Sequence, residues 1–331
     1  MKRVARWAVR LIGPILLVVF LWRSNPVGLL ENLRGLVWWP LLLSLALAPV
    51  FLIVKAWRWN VVMRELGMDA PPLWYSVVLY TIGLYAGGIT PGQSGDFVKA
   101  WYLRRRGQPL ATALFSIVLD RLFDFAVMAG LALVGLVVVL DVFPPNIQAV
   151  LQTSTVVFAA VIFLLTPMLM ARGLREWGMG LATRIAPARF RPALERLREQ
   201  FAPLSLRPGP LLQLLVASAA SASTTLLRIF LLFWTLPLAD VPPLAVIGST
   251  ALIAILQALP ISFAGVGVRD AVLIALLQRY GHTTEQALVL SAQYLLINIE
   301  HILLGFLVSL RFPLEGGAGT DAALPQADKA S

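Results

Sequence analysis

Two stretches of this chain combine cations, carboxylates and glycines inside apolar sequence. The first is Ala86-Gly-Gly-Ile-Thr-Pro91-Gly92-Gln-Ser-Gly95-Asp96-Phe-Val-Lys99, with four glycines, a proline and two opposite charges. The second is Leu259-Pro260-Ile-Ser-Phe-Ala-Gly265-Val-Gly267-Val-Arg269-Asp270. Where a helix restarts within a membrane, its first N–H groups are free and its dipole end is positive. Gly95 and Gly267 would let a head group reach the backbone, and Lys99 and Arg269 add cationic donors suited to phosphate. Asp96 and Asp270 could hold those cations in place, or bind an amine or a coupling proton. This chemistry suits an amphiphile with a phosphate head and an apolar tail.

Further charges lie within apolar runs. Asp120 and Asp124 stand four apart on one helix face, with Arg121 beside them. A lone charge at the bilayer centre costs about 2.5–3.5 kcal/mol on insertion scales. These three must therefore face protein or water, and the expectation is that Arg121 pairs with Asp120 or Asp124. Arg228 lies among Ser218, Ser221, Ser223, Thr224 and Thr225, a polar stripe that must also face inward. Asn298, Glu300 and His301 do the same for the last apolar run. For each group the plainer alternative is an inter-helix contact that fixes the bundle. For the glycines it is close helix packing.

The elements that position these residues follow from composition. The chain is 59% hydrophobic and 13% charged over 331 residues, against about 25% charged in soluble domains. That is an integral membrane protein. It has no cysteine and only two separated histidines, His282 and His301, so disulfides, thiol nucleophiles and histidine metal clusters are excluded, and no cofactor is expected. The net charge of +10 reads as arginine in cytoplasmic loops against anionic lipid rather than as a nucleic-acid surface.

A spanning helix needs about 20 apolar residues. Runs of that kind cover 8–22, 38–57, 113–140, 154–170, 211–236 and 286–311. The 8–22 run has a basic start but no cleavage pattern, so it reads as a membrane helix rather than a signal peptide. Blocks 73–102 and 243–280 contain the glycine-rich breaks. Basic segments (the N-terminus, Arg58 with Arg64, Arg104 to Arg106, 171–209 with eight arginines, and Arg311 with the tail) mark the cytoplasmic side. Both ends of 73–102 are basic and both ends of 243–280 are not, so each block should enter and leave on one side. Irregular backbone at membrane depth survives only where protein or a water-filled cavity satisfies it.

The expected fold is an all-α membrane protein: about six spanning helices plus two re-entrant helical hairpins, arranged as an inverted repeat. The units are about 38–140 and 211–311 in a single membrane domain, 1–312, with both termini cytoplasmic. Pro72 precedes Pro91 by nineteen residues and Pro243 precedes Pro260 by seventeen. Lys99 and Arg269 follow those turn prolines by eight and nine residues. Their tips should meet near the midplane and form one site. Segment 171–209 reads as an amphipathic linker helix on the cytoplasmic surface, and 313–331 as a disordered cytoplasmic tail.

At these residues the chain resembles the membrane domain of lysylphosphatidylglycerol synthase and its stand-alone flippase-like relatives. The family's Pro-x-x-x-Gly-Glu-x-x-Arg signature stands here as Pro91 to Lys99. Its Glu-Arg-x-x-Asp pattern stands as Asp120-Arg121-Leu-Phe-Asp124, and its Gly-x-Gly-Val-Arg-Glu pattern as Gly265 to Asp270. The resemblance covers roughly 10–312. Departures to Asp and Lys keep charge but shorten reach, and Lys99→Arg, which restores the family's residue, is expected to be tolerated. The resemblance implies movement of phospholipid, aminoacyl-phospholipid, hopanoid or polyprenyl-linked lipid across a bacterial cytoplasmic (inner) membrane. Synthase members add a soluble aminoacyl-transferase domain. The residues after Phe312 are too few for one, so no enzyme activity is expected. The alternatives are an accessory to a lipid- or glycan-modifying enzyme, and a membrane-embedded transferase of polyprenyl-phosphate or lipid. The implied partners are membrane lipids, with no nucleic acid.

Overall fold

The computed structural model describes residues 26–187, 191–192, 195, 198, 208–258 and 267–313. All regular structure among them is helical. Five helices are long and apolar enough to cross a membrane: Trp38–Glu65, Leu110–Val142, Ile147–Met168, Leu212–Phe233 and Thr284–Arg311. They match five of the six expected spans. The sixth, 8–22, lies outside the described residues, as do 314–331.

The helices are α1 (Pro26–Arg34), α2 (Trp38–Ala46), α3 (Ala48–Glu65), α4 (Leu73–Ile89), α5 (Val98–Arg105), α6 (Leu110–Val139) and α7 (Pro145–Met170). They continue with α8 (Arg172–Ile185), α9 (Pro208–Phe233), α10 (Pro243–Ala258), α11 (Val268–Arg279) and α12 (Thr284–Arg311). Pro49 explains the break between α2 and α3. It lacks an N–H, and its ring clashes with the carbonyl four residues back, so the chain bends at Leu47 before α3 resumes.

Helix α3 then runs eight residues past the expected end at 57. Arg58 is fully buried inside it, so it does not mark a cytoplasmic loop. An arginine can continue a membrane helix when a partner neutralises it, and α6 supplies that partner.

Each glycine-rich block has a longer leading helix and a shorter following one. Block 73–102 is helix α4, a 3₁₀ turn over Pro91–Phe97, and α5. Block 243–280 is α10 and α11, and its tip, 259–266 with Pro260 and Gly265, lies outside the described residues. The leading helices are only 17 and 16 residues long, at or below the lower limit for a span of about 17–25 residues.

Packing crosses between the halves of the chain. Helix α4 lies against α12, and α10 lies against α6. Both contacts depend on glycine. A Cβ at Gly305 would sit 2.4 Å from the Thr81 carbonyl oxygen, and one at Gly248 would sit 2.5 Å from the Gly135 Cα. Small residues let membrane helices approach this closely. Among the described residues the two larger apolar clusters lie around α3 to α6 and around α9 to α12, and a small third one, Ala132 with Ala251 and Ile255, sits where α10 meets α6.

Helix α8 covers the first part of the expected linker 171–209, most of whose remainder lies outside the described residues. Leu174, Trp177, Leu181 and Ile185 form an exposed apolar stripe. Arg175 and Gly178 are buried, with the Arg175 guanidinium 5.8 Å from the Phe115 ring centre. Arg172 and Glu176 form an ion pair on the third face.

Candidate functional site

A cavity of about 270 Å³ opens between the two halves. Helices α3, α4, α6, α9, α10 and α12 and the 3₁₀ turn all line it. Its polar lining includes Lys55, Gln93, Arg121, Asp124, Arg228, Asn298 and His301. Between these lie Leu84, Phe125, Met128, Ile229, Ile253, Ile255 and Ile297.

The charges in and behind that lining form two ladders. On α3, Lys55 and Arg58 are three residues apart. On α6, Asp120 and Asp124 are four apart. Helical periodicity faces these pairs together. Arg58 Nε donates to Asp120 Oδ1 at 2.8 Å, and Arg58 Nη1 to Asp124 Oδ1 at 2.6 Å. Lys55 Nζ also donates to Asp124 Oδ1, at 2.6 Å. The Tyr80 hydroxyl donates to Asp120 Oδ2 at 2.9 Å. Asp120 and Arg58 have no exposure, whereas the Asp124 side chain is 21% exposed.

Arg121 points elsewhere. It lies one residue past Asp120, about 100° around the helix, and both carboxylates of α6 are engaged by α3. Its Nε donates to Asp96 Oδ2 at 2.9 Å, and its Nη1 donates to Gln93 Oε1. The expected pairing with Asp120 or Asp124 is therefore replaced by a link to the 3₁₀ turn. Gln93 has φ 55°, the left-handed region that non-glycine residues rarely adopt.

Lys99 is caged. It pairs with Asp96 at 2.9 Å, and its Nζ lies 4.1 Å from the Tyr80 ring centre and 4.9 Å from that of Trp59. Glycine at position 83 makes room for this pair, because a Cβ there would sit 2.3 Å from Asp96 Oδ1. The space beside Gly95 is taken by the Ala86 carbonyl, 2.0 Å from where a Cβ would be. Gly95 thus holds the 3₁₀ turn against α4. Pro91 and Gly92 lie in that turn.

On α9, Arg228 Nε donates to the Ser44 carbonyl at 2.8 Å, its Nη1 bonds His301 Nε2 at 2.9 Å, and its Nη2 pairs with Glu300. Phe51 stacks on His301 with ring centres 5.2 Å apart. Asn298 and His301 thus reach the cavity, and Glu300 backs Arg228.

Arg269 and Asp270 form a separate buried cluster. Asp270 Oδ2 accepts from the Gly267 N–H at 2.7 Å, closing the start of α11, where Gly267 has φ 84°. Arg269 Nε donates to Ser291 Oγ at 2.7 Å, and Ser291 in turn donates to Asp270.

Of the sequence-derived site residues, Arg121, Asp124 and Arg228 line the cavity. Asp96, Lys99 and Asp120 stand behind it as buried pairs, and Arg269 and Asp270 are not in its wall. Sequence reasoning missed Lys55, Arg58, Tyr80 and Gln93. The signal for the first two was present: a cation pair at helical spacing to match the carboxylate pair on α6.

No curated protein and no solved structure matches this chain. The family model described as the lysylphosphatidylglycerol synthase TM region matches residues 7–305. A multi-pass bundle of apolar helices, with that match over most of its length, means that the chain belongs to the lysylphosphatidylglycerol synthase membrane-region family.

Proposed function

We propose that this protein is a flippase-like transporter that moves a phosphate-headed lipid between the leaflets of a bacterial cytoplasmic membrane. The observation that carries the reading is the cavity's mixed lining of cations and apolar side chains. Lys55, Arg121 and Arg228 offer donors for a head group, and Phe125, Met128 and Ile255, interleaved with them in the lining, suit acyl chain. Ligand sites commonly pair an apolar lining with a few convergent polar groups.

The mechanism in this reading is an inverted repeat of two re-entrant hairpins, 73–102 from the cytoplasm and 243–280 from outside. The crossed packing of α4 on α12 and α10 on α6 supports it, as do the short leading helices. Movement of one unit against the other would expose the cavity to each side in turn. No covalent step is asked of these residues. Both termini lie in the cytoplasm in this reading.

The test is translocation of fluorescent phospholipid in proteoliposomes, with Arg121→Gln and Asp124→Asn at matched reconstitution. A rate loss of about tenfold or more is expected for each, about 1.4 kcal/mol or more in the barrier. Lipid binding without movement by the wild-type protein would favour an accessory to a lipid- or glycan-modifying enzyme instead. The chain is free of cysteine, so single cysteines near Pro72 and Arg104 should label from one side, and those near Pro243 and Arg279 from the other. Labelling of either pair from opposite sides would remove the hairpin model.

A further inference from the structure

We infer that the head group taken by this cavity carries one net negative charge, as a phosphodiester with a neutral alcohol does. This rests on the reading of the cavity as a lipid site. The charges that line it, followed outward through their ion pairs, form a closed set among the described residues. Arg58 pairs with Asp120, Lys99 with Asp96, Lys55 with Asp124 and Arg228 with Glu300. Arg121 remains. Its one carboxylate, Asp96, is shared with Lys99, and its other partner, Gln93, is a neutral amide.

The neighbouring titratable groups do not change that balance. His301 Nε2 accepts from an Arg228 N–H, so it lies on the neutral ring. Tyr80 donates its hydroxyl proton to Asp120, so it is an uncharged phenol. The set holds five cations and four carboxylates.

The surplus sits where a ligand can reach it. The Arg121 side chain is 20% exposed and lines the cavity, whereas Lys99 and Arg58 have no exposure. A buried, uncompensated charge is unfavourable in a low-dielectric interior. A phosphodiester would neutralise it, and a guanidinium matches phosphate oxygens bidentately. An uncharged polycyclic head supplies no such charge. An aminoacylated phospholipid with a net positive head would add a second surplus.

The experiment is native mass spectrometry of the full-length protein in mixed micelles. The micelles hold equal amounts of phosphatidylglycerol (net −1), phosphatidylcholine (net zero) and the lysyl ester of phosphatidylglycerol (net +1). Phosphatidylglycerol should be retained about tenfold or more over each of the others. Arg121→Gln makes the set neutral and should bring the three lipids within about twofold of one another. Glu300→Gln adds a second surplus charge without touching the cavity wall, and should raise the preference several-fold.

Equal retention by the wild type, or preference for the lysyl ester, overturns the inference. So does a preference that Arg121→Gln leaves intact, or one that moves the same way in both variants. If Arg121→Gln fails to fold, the upward shift in Glu300→Gln still decides the matter. Translocation in liposomes is read separately. Selective binding without movement would sink the transport reading and leave the charge inference standing. Movement without selectivity would do the reverse.

Discussion

The two glycine-rich blocks use the same residue types and wire them differently. In the first, Asp96 stands between Lys99 on α5 and Arg121 on α6. It couples the 3₁₀ turn to a helix that lines the cavity. In the second, Asp270 closes the start of its own helix and takes Ser291 of α12, which also holds Arg269. One carboxylate is a connector and the other a clasp. Residue type and spacing alone did not separate them, because the distinction lies in which neighbouring helix presents a cation.

The strongest way to break this contrast is Asp96→Asn. Lys99, with no exposure, would keep only its aromatic faces, and Arg121 would keep Gln93. Removing one partner of a buried ion pair costs about 3–5 kcal/mol. We expect a loss of that size in detergent unfolding followed by tryptophan fluorescence. Preference for anionic lipid should rise in any protein that stays folded, since a carboxylate has left the set. Wild-type stability would mean that Asp96 is not a connector.

Asp270→Asn should do less and do it locally. Asparagine keeps an oxygen for the Gly267 N–H or for Ser291, and the Arg269–Asp270 pair is already long at 3.8 Å. A hydrogen bond to a charged group is worth about 1.5–3 kcal/mol. The unfolding midpoint should fall within that range, with lipid preference unchanged. A changed preference would tie the second block to the cavity and erase the contrast.

These outcomes bear on what the sequence could reveal. Spans were legible because apolar runs of sufficient length have few other uses: 113–140 became Leu110–Val142, and 286–311 became Thr284–Arg311. The match to the lysylphosphatidylglycerol synthase membrane region was legible from three short motifs in order. The inward-facing status of Asp120, Arg121, Asp124 and Arg228 was legible from the expense of charge in lipid. Pairings were not legible, because they depend on how each helix is rotated against its neighbours. Arg58 shows why. An arginine after an apolar run reads equally as a loop marker or as an internal partner, and only the position of α6 decides. The same limit applies to Gly95, whose open side faces Ala86 and not the cavity.

Lys99→Arg sharpens the contrast from another side. Restoring the family's residue is expected to be tolerated. The structure argues for a cost, because the ammonium sits between the rings of Tyr80 and Trp59 with no exposure. A longer, planar guanidinium must displace one ring or the Asp96 carboxylate. Overpacking of this kind costs typically 1–3 kcal/mol. We expect about 1 kcal/mol, near the low end of that range, because Arg also stacks well on aromatic faces. An unchanged midpoint would show that the cage is looser than these distances imply.

The smallest effect is expected at Arg172, and its smallness carries information. Arg172 pairs with Glu176 at 2.9 Å on the outer face of α8, but its side chain is 63% exposed. That hydrogen bond holds the Glu176 carboxyl below its ordinary value. Any stabilisation is therefore complete at neutral pH and is lost as pH falls through the carboxylate range. Exposed pairs of this kind are screened by salt and contribute little. Arg172→Gln should leave the unfolding midpoint and the lipid preference where they were, at pH 7 and at pH 4.5 alike. It removes the same formal charge as Arg121→Gln. If both variants weakened the preference for phosphatidylglycerol equally, the protein would be selecting lipid by overall charge at its surface. The contrast between a connecting carboxylate and a clasping one would then have no bearing on transport. If only Arg121→Gln acts, selectivity belongs to the buried network that Asp96 ties to the first block.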